Sequence, residues 1–263
     1  MKALELTIGP SNGWIYAGKT YDTEEHNDIL LATGASALEI AIVFPEQPRI
    51  DALKAGKSFM PLGYTSLHLP DYDPKKPVAA QVALASKICA VHQPKAALIH
   101  PSSRVKHAEG KPIDLQVLES MVPEAFYGDM KRAGVPLAIE NMDKDKLSRY
   151  GIIELDELVR FYDLAFVLDA QHAFEQDADM GYAKELLDMQ IGRLMHIHIS
   201  GEVADDIPDR NHQLVHKSDN QEAILRFTHG LLRERNVPII IEGKYADADE
   251  LKTEIDFLRQ ELA

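Results

Sequence analysis

The segment PLAIENMDKDKLSRYGIIELDELVRFYDLAFVLD, residues 136–169, contains the pattern that decides the fold. It begins and ends with short apolar runs, PLAIE (136–140) and AFVLD (165–169). Between them, ELDELVRFYD (154–163) places apolar residues at helical spacing. A buried strand, an amphipathic helix and a second buried strand in this order are typical of a βαβ unit. The segment therefore predicts two parallel strands joined by a crossover helix.

The same alternation extends over the whole chain. Six more apolar runs occur, at ALELTI (3–8), ALEIAIVF (37–44), YTSLHL (64–69), AALIH (96–100), LMHIHIS (194–200) and PIIIE (238–242). Helical patterns occupy residues 23–34, 48–56, 77–92, 113–134, 154–163, 181–192, 220–236 and 247–263. Helix ends are indicated at Gly34, Gly134 and Asn236, and prolines open two of the strands. Eight strand–helix units predict a single-domain α/β protein, one (β/α)8 TIM barrel over residues 1–263.

A doubly wound open sheet would show the same alternation. Its usual G-x-G-x-x-G motif after the first strand is replaced here by IGPSNGWIY (8–16). The barrel is therefore the favoured architecture.

Composition excludes several classes of protein. The 263 residues are 45% hydrophobic, which is too apolar for a disordered chain. The single cysteine, Cys89, excludes intrachain disulfides and cysteine-based zinc motifs. No apolar run reaches the length of a membrane span, and MKALELTIGP does not resemble a signal peptide, so we expect a soluble, cytoplasmic protein without a membrane partner. A net charge of −14 disfavours a generally basic nucleic-acid surface but permits a local phosphate-binding patch.

Residue types that bind metals stand at the carboxyl ends of the predicted strands, where barrel active sites form. They are His68, His100, Glu140, Asp169 with His172, His198 and Glu242. Carboxylates gathered at one rim would repel each other unless a cation lay between them. Imidazole with carboxylate predicts a divalent metal, zinc first, with manganese, iron, cobalt and magnesium as alternatives.

Strand periodicity adds three interior positions. His196 and His198 are two residues apart, so both should face the barrel interior, with His198 nearer the rim. His196 is interpreted as a core histidine or as a partner of a ligand. Glu5 and Glu39 have interior parity, and two interpretations remain open: contact with a substrate or ligand, or a packed charge pair.

Together these strand ends resemble a known superfamily. The motifs IEN (139–141), LDAQHAF (168–174), HIHIS (196–200) and IIIEG (239–243) are similar to those of the xylose isomerase-like TIM barrels, which include sugar isomerases and epimerases and the abasic-site nuclease endonuclease IV. The resemblance implies a metal core of Glu140, Asp169, His198 and Glu242. The nuclease branch, with its trinuclear zinc site, implies further ligands at His68, His100, His172, Asp209 and His212.

The sequence departs from both branches of the superfamily. The nuclease motif D-R-H is here Asp209-Arg210-Asn211-His212, which leaves open whether Asn211 or His212 takes the ligand place. HPG reads HPSS (100–103), and FPEQPRI (44–50) replaces the DNA-reading loop. Gly201 stands where the isomerases commonly have Asp.

Two or three metal ions would favour phosphoester hydrolysis, because cations activate water and stabilise a phosphoryl oxygen. Arg104 and Lys106 would then bind phosphate, and Glu140 would orient the nucleophile. For Trp14, in the loop after the first strand, two interpretations remain open: it covers the cleft and stacks on a sugar or base, or it packs against the next helix. The expected substrate is phosphorylated or contains a sugar, with abasic-site DNA as one candidate.

A single metal would favour an isomerase or epimerase in which Glu140 and Glu242 act as opposed acid and base. His172 would then contact a substrate hydroxyl. A catalytically inactive binding barrel is the third interpretation. The hydrolase is the preferred prediction, and the oligomeric state is left open.

Overall fold

The computed structural model describes residues 5–12, 23–42, 58–69, 79–101, 124–143, 151–204 and 210–263. Its centre is one parallel sheet of eight strands, hydrogen-bonded in the order β1-β8-β7-β6-β5-β4-β3-β2. The strands are β1 (Ile8–Pro10), β2 (Ala37–Ala41), β3 (Tyr64–His68), β4 (Ala96–Ile99), β5 (Leu137–Glu140), β6 (Ala165–Asp169), β7 (Leu194–Ile199) and β8 (Ile239–Ile241). The sheet curls into a nearly closed barrel, which confirms the predicted (β/α)8 architecture.

Helices follow the strands along the chain. Those in the described ranges are α1 (Thr23–Thr33), α2 (Ala79–His92), α3 (Glu124–Ala133), α4 (Ile152–Phe161), α5 (Ala170–Gln176), α6 (Gly181–Gln190), α7 (Gln221–Glu234) and α8 (Ala248–Leu262). The helix predicted at 48–56 and the first part of the one predicted at 113–134 lie outside the described residues. Among the described helices, none is both long enough and apolar enough to cross a membrane.

The barrel closes where β1 meets β2. A parallel bridge joins Ser11 to Glu39, and the Asn12 amide donates to the Glu39 carbonyl at 2.9 Å. The strands approach so closely here that a Cβ atom on Gly9 would lie 1.7 Å from the carbonyl oxygen of Ala37. Glycine at position 9 is therefore a requirement of barrel closure.

Successive side chains of each strand point alternately outward, toward the helices, and inward, toward the barrel interior. Outward side chains such as Ile139, Leu168 and Ile197 join the large apolar cluster between sheet and helices. Some inward side chains are apolar, as where Leu98 and Val167 pack together, and those at the carboxyl ends are acidic or imidazole. This change of polarity along the inward rows creates the polar mouth.

Three features differ from the sequence-based expectation. The first strand was predicted at 3–8 and lies at Ile8–Pro10, since its ladder partner β8 pairs Ile8 with Ile239 and Pro10 with Ile241. Glu5 consequently precedes the strand and is exposed. Helix α5, which was not predicted, starts directly after β6 because the side chain of Asp169 caps it by accepting the His172 amide at 2.7 Å.

Candidate metal centre

Four predicted ligands meet at the carboxyl mouth of the barrel. Glu140 ends β5, Asp169 ends β6, His198 lies near the end of β7 and Glu242 directly follows β8. One ligand atom from each lies within 4.8 Å of the others, and all four residues are buried. Since ligands at zinc distances lie about 3.4 Å from one another in a tetrahedral site, little rearrangement separates this group from a coordination shell.

A second set of possible metal ligands, His68 and His100, shares Glu140 with the first set. Nε2 of His100 lies 3.2 Å and Nε2 of His68 lies 3.5 Å from Oε2 of Glu140. The other oxygen, Oε1, lies 3.1 Å from Nδ1 of His198. The two oxygens of one carboxylate thus face two different sets of nitrogen donors, which is the arrangement of a carboxylate that can bridge two cations.

Backbone carbonyls orient two of the histidines. Nδ1 of His68 lies 3.0 Å from the carbonyl oxygen of Leu69, and Nδ1 of His172 lies 2.9 Å from that of Asn141. A carbonyl only accepts hydrogen bonds, so each Nδ1 carries the proton and each Nε2 presents a lone pair. Metal-binding histidines are commonly held in this way.

Two buried carboxylate oxygens at the centre call for a positive partner. Within the described part of the chain, Oδ2 of Asp169 has no hydrogen-bond donor, and Oε2 of Glu140 faces only the ring nitrogens of His100 and His68. A buried anionic oxygen without a donor is costly, and a cation would satisfy both. The donor set of carboxylates and imidazoles fits a divalent transition metal or zinc.

The charges at the centre perturb one another. Burial raises the pKa of Glu140, but His198, His100 and His68 outweigh burial and hold that pKa well below its usual range. Burial lowers the pKa of His198, whereas the surrounding glutamates raise it well above its usual value. Burial, with the charges of Glu140 and Glu242, raises the pKa of Asp169 to about 7. The carboxylates therefore compete for the available positive charge.

A further pair of imidazoles lies beside the first two donor groups. The rings of His172 and His212 are 6.2 Å apart, and burial lowers the pKa of His212 to about 4, which keeps it neutral. Nδ2 of Asn211 instead donates to Oε1 of Glu175 on α5, at 2.7 Å. Of the two alternatives left by the sequence, His212 is thus the residue brought beside His172.

Four residues of the predicted site lie outside the described residues: Trp14, Arg104, Lys106 and Asp209. All the other predicted ligands, His68, His100, Glu140, Asp169, His172, His198, His212 and Glu242, are described and lie around the barrel mouth.

An interior layer beneath the centre was only partly foreseen. Oε2 of Glu39 lies 3.1 Å from Nε2 of His198 and 3.4 Å from Nε2 of His196, and it accepts from the Ser66 hydroxyl at 3.0 Å. The Tyr64 hydroxyl lies 2.7 Å from Nδ1 of His196. The signal for Tyr64 and Ser66 is their spacing in β3, where they alternate with Thr65 and share the face of the predicted ligand His68. Glu39 thus contacts the predicted ligand His198, and this contact is also a buried pair of ionisable groups.

No protein-family model matches the chain, and no curated protein sequence matches it. Among solved structures, "D-tagatose 3-epimerase-like protein" superposes with a TM-score of 0.67 at 14% identity, over 98% of this chain and 100% of the other. A "xylose isomerase domain containing protein" from Salmonella typhimurium LT2 gives 0.65 at 13% identity, over 100% and 99%. The TTHB071 protein from Thermus thermophilus, soaked with ZnCl2, gives 0.61 at 17% identity, over 97% and 98%.

At these identities the likeness concerns the fold. The chain shares the (β/α)8 barrel fold of these solved structures over nearly its whole length.

Proposed function

We propose that this protein is a divalent-metal-dependent hydrolase that cleaves phosphoesters at a centre of two or three cations, with zinc as the expected metal. One observation carries the proposal: the two oxygens of Glu140 face His198 on one side and His68 with His100 on the other. A single-metal enzyme has no need of a second donor set on the same carboxylate.

The proposed metal ligands form three sets, one for each cation. Glu140, Asp169, His198 and Glu242 would hold one cation, and His68, His100 and the second oxygen of Glu140 would hold another. His172 and His212, with Asp209, would hold a third. A structural neighbour that was soaked with ZnCl2 supports zinc as the metal to test first.

The bound cations would supply Lewis acidity, lowering the pKa of a water nucleophile and stabilising charge on a phosphoryl oxygen. Glu140 and Glu242 would orient the attacking water, and the carbonyl-anchored His68 would keep the geometry of the centre rigid. Arg104 and Lys106 would bind the phosphate, and Trp14 would stack on a sugar or base. The substrate class is a phosphorylated or sugar-containing molecule, with abasic-site DNA as the first candidate.

A second function, metal-dependent sugar or sugar-phosphate isomerisation or epimerisation, is favoured by a different observation. Glu140 and Glu242 both approach the same nitrogen, Nδ1 of His198, at 3.1 and 3.5 Å. Two carboxylates around one ligand could act as opposed acid and base on a substrate held by a single cation. One structural neighbour is titled an epimerase-like protein.

Counting metal ions separates the two functions. Purified protein is loaded with zinc, dialysed to remove weakly bound ions and analysed for zinc per chain, with Glu140→Gln alongside. The hydrolase requires at least two ions in the wild type and at most one in Glu140→Gln. One ion in the wild type would support the isomerase, and none would support an inactive barrel.

Activity assays then use the same zinc-loaded preparations. Abasic-site DNA and a panel of ketoses and ketose phosphates are tested in parallel, with Asp156→Asn as a matched control. Asp156 is a buried carboxylate on α4, bonded to Arg160 and Gln190 and remote from the mouth. Cleavage of the DNA that depends on Glu140 supports the proposal, whereas turnover confined to ketoses would overturn it.

A further inference from the structure

His198 is held differently from the other oriented histidines of the centre. In His68 and His172, Nδ1 faces a backbone carbonyl oxygen, and Nε2 is left as the atom that can bind a metal. His198 instead turns Nδ1 toward Oε1 of Glu140, so its Nε2 points into the barrel. For Nδ1 to present a lone pair, Nε2 must carry the proton and donate it to an acceptor in the interior.

Glu39 supplies an acceptor at that place. Its Oε2 lies 3.1 Å from Nε2 of His198, and both side chains are completely buried. We propose that Glu39 is a positioning residue that accepts the Nε2 proton of His198 and thereby aims Nδ1 at the cation held by Glu140, Asp169 and Glu242. This inference rests on the proposed metal centre.

His196 is the competing acceptor, since its Nε2 also lies 3.1 Å from Nε2 of His198. The Tyr64 hydroxyl lies 2.7 Å from Nδ1 of His196, where a phenol both donates and accepts. When Tyr64 donates to Nδ1, the neutral His196 carries its proton on Nε2 and has no lone pair there for His198. A carboxylate oxygen of Glu39, by contrast, accepts from Nε2 of His198 whichever tautomer His196 adopts.

The Ser66 hydroxyl completes the arrangement by donating to the same Oε2 of Glu39 at 3.0 Å. This bond holds the carboxylate in place beneath His198, whose Nε2 lies 3.1 Å from the same oxygen. A fixed carboxylate increases the basicity of the imidazole it anchors and so strengthens metal binding through Nδ1.

Glutamine at position 39 keeps the size of the side chain but removes its charge. Its amide can also turn the NH2 group toward His198, which would favour the wrong tautomer. We expect Glu39→Gln to weaken binding of the His198-bound ion by about 10–100-fold, the range found for partners of metal ligands. The ion on His68 and His100 should be much less affected.

The experiment is a zinc titration against a chromophoric chelator on wild type, Glu39→Gln and Asp156→Asn. The same three proteins are loaded with cobalt(II), and their visible absorption spectra are recorded. Asp156→Asn controls for loss of a buried carboxylate outside the barrel mouth. Selective weakening of one ion in Glu39→Gln, with altered cobalt bands and with Asp156→Asn like the wild type, supports the proposal.

Each other result has a defined meaning. Unchanged affinity and cobalt bands in Glu39→Gln would overturn the role of Glu39 and leave the two-ion centre standing. Equal weakening of all ions with unchanged bands would indicate general loosening and would also overturn it. A wild type with one ion, weakened by Glu39→Gln, would support Glu39 but contradict the dinuclear centre. A wild type that binds no zinc would overturn both.

If Glu39→Gln does not fold, Glu39→Asp replaces it. This variant keeps the charge but draws the carboxylate back from Nε2 of His198 by one methylene, and we expect several-fold weaker binding of the same ion. Unchanged binding in Glu39→Asp would then overturn the proposal.

Discussion

Asn141 and Asp169 are joined by a closed pair of hydrogen bonds. Nδ2 of Asn141 donates to the Asp169 carbonyl at 2.9 Å, and the Asp169 amide donates to Oδ1 of Asn141 at 2.8 Å. The pair lies just beyond the last ladder contact between β5 and β6, where Glu140 pairs with Val167. It therefore helps to hold two of the proposed metal-binding carboxylates, Glu140 and Asp169, close together in the mouth.

Replacing Asn141 should weaken both the fold and the centre. Asn141→Ala leaves a buried amide and a buried carbonyl of Asp169 without these partners, and we expect a loss of about 2 kcal/mol or more in unfolding free energy. Zinc affinity should fall as well. Chemical denaturation and zinc titration measure the two effects. Asn236→Ala, which removes only an exposed bond to the Glu5 carbonyl, should change neither.

Catalysis should depend on both rim glutamates. Glu140→Gln and Glu242→Gln are each expected to lower kcat at least about 100-fold, because each removes a charged group from the reacting centre. The barrel should remain folded, as judged by circular dichroism and thermal unfolding. Unchanged rates in both variants would contradict the assigned roles.

Metal counting can also decide between His212 and Asn211. If His212 is a ligand, His212→Ala should lower the number of tightly bound zinc ions by one relative to wild type. Asn211→Ala should keep the count and lose about 1 kcal/mol of stability, since it removes only the bond to Glu175. The opposite result would assign the ligand place to Asn211.

Asp169 should make the chelator-treated protein less stable as the pH rises. Its pKa goes up from 3.8 to about 7 in the folded protein, chiefly through burial and also through the charges of Glu140 and Glu242. The folded state thus keeps a proton that the unfolded state has released. The resulting stabilisation is complete below about pH 4 and is lost as the pH approaches 7. Relative to Asp169→Asn, the wild-type Tm should fall across this window. A constant difference between the two Tm values would show that Asp169 does not titrate there.

The close approach of β1 and β2 at Gly9 should affect the stability of the protein. Gly9→Ala would place a Cβ atom 1.7 Å from the Ala37 carbonyl oxygen, so β1 and β2 must move apart, and we expect a loss of about 3 kcal/mol or more. Gly230, within α7, has open space around the Cβ position, and Gly230→Ala should stabilise the protein by about 0.5–1 kcal/mol. Urea denaturation of both variants tests the contrast. Equal effects would argue against the close approach at Gly9.

The sequence predicts which segments form strands better than it predicts the residues at which strands and helices begin and end. Strands β5 and β6 lie within the predicted runs because their apolar residues alternate between two buried faces without interruption. The first strand lies later than the apolar run at 3–8 because its ladder contacts with β8 run from Ile8 to Pro10, and the approach of Ala37 explains the glycine at position 9. The sequence does not predict helix α5, because seven residues make only about two helical turns and the apolar pattern hardly repeats. The side chain of Asp169 caps the start of this helix.

The sequence by itself determined the alternation of strands and helices and the kinds of donor at the strand ends. Both depend on local periodicity, which repeats every few residues. Only the tertiary structure decided which oxygen of Glu140 faces which histidine, and that Glu39 lies beneath His198. The contacts of His198 with Glu140 and Glu39 join residues 58 and 159 positions apart, and they depend on strand register, barrel curvature and side-chain rotamers together. No local pattern contains that information, because each contact is set by where separate strands come to lie in space.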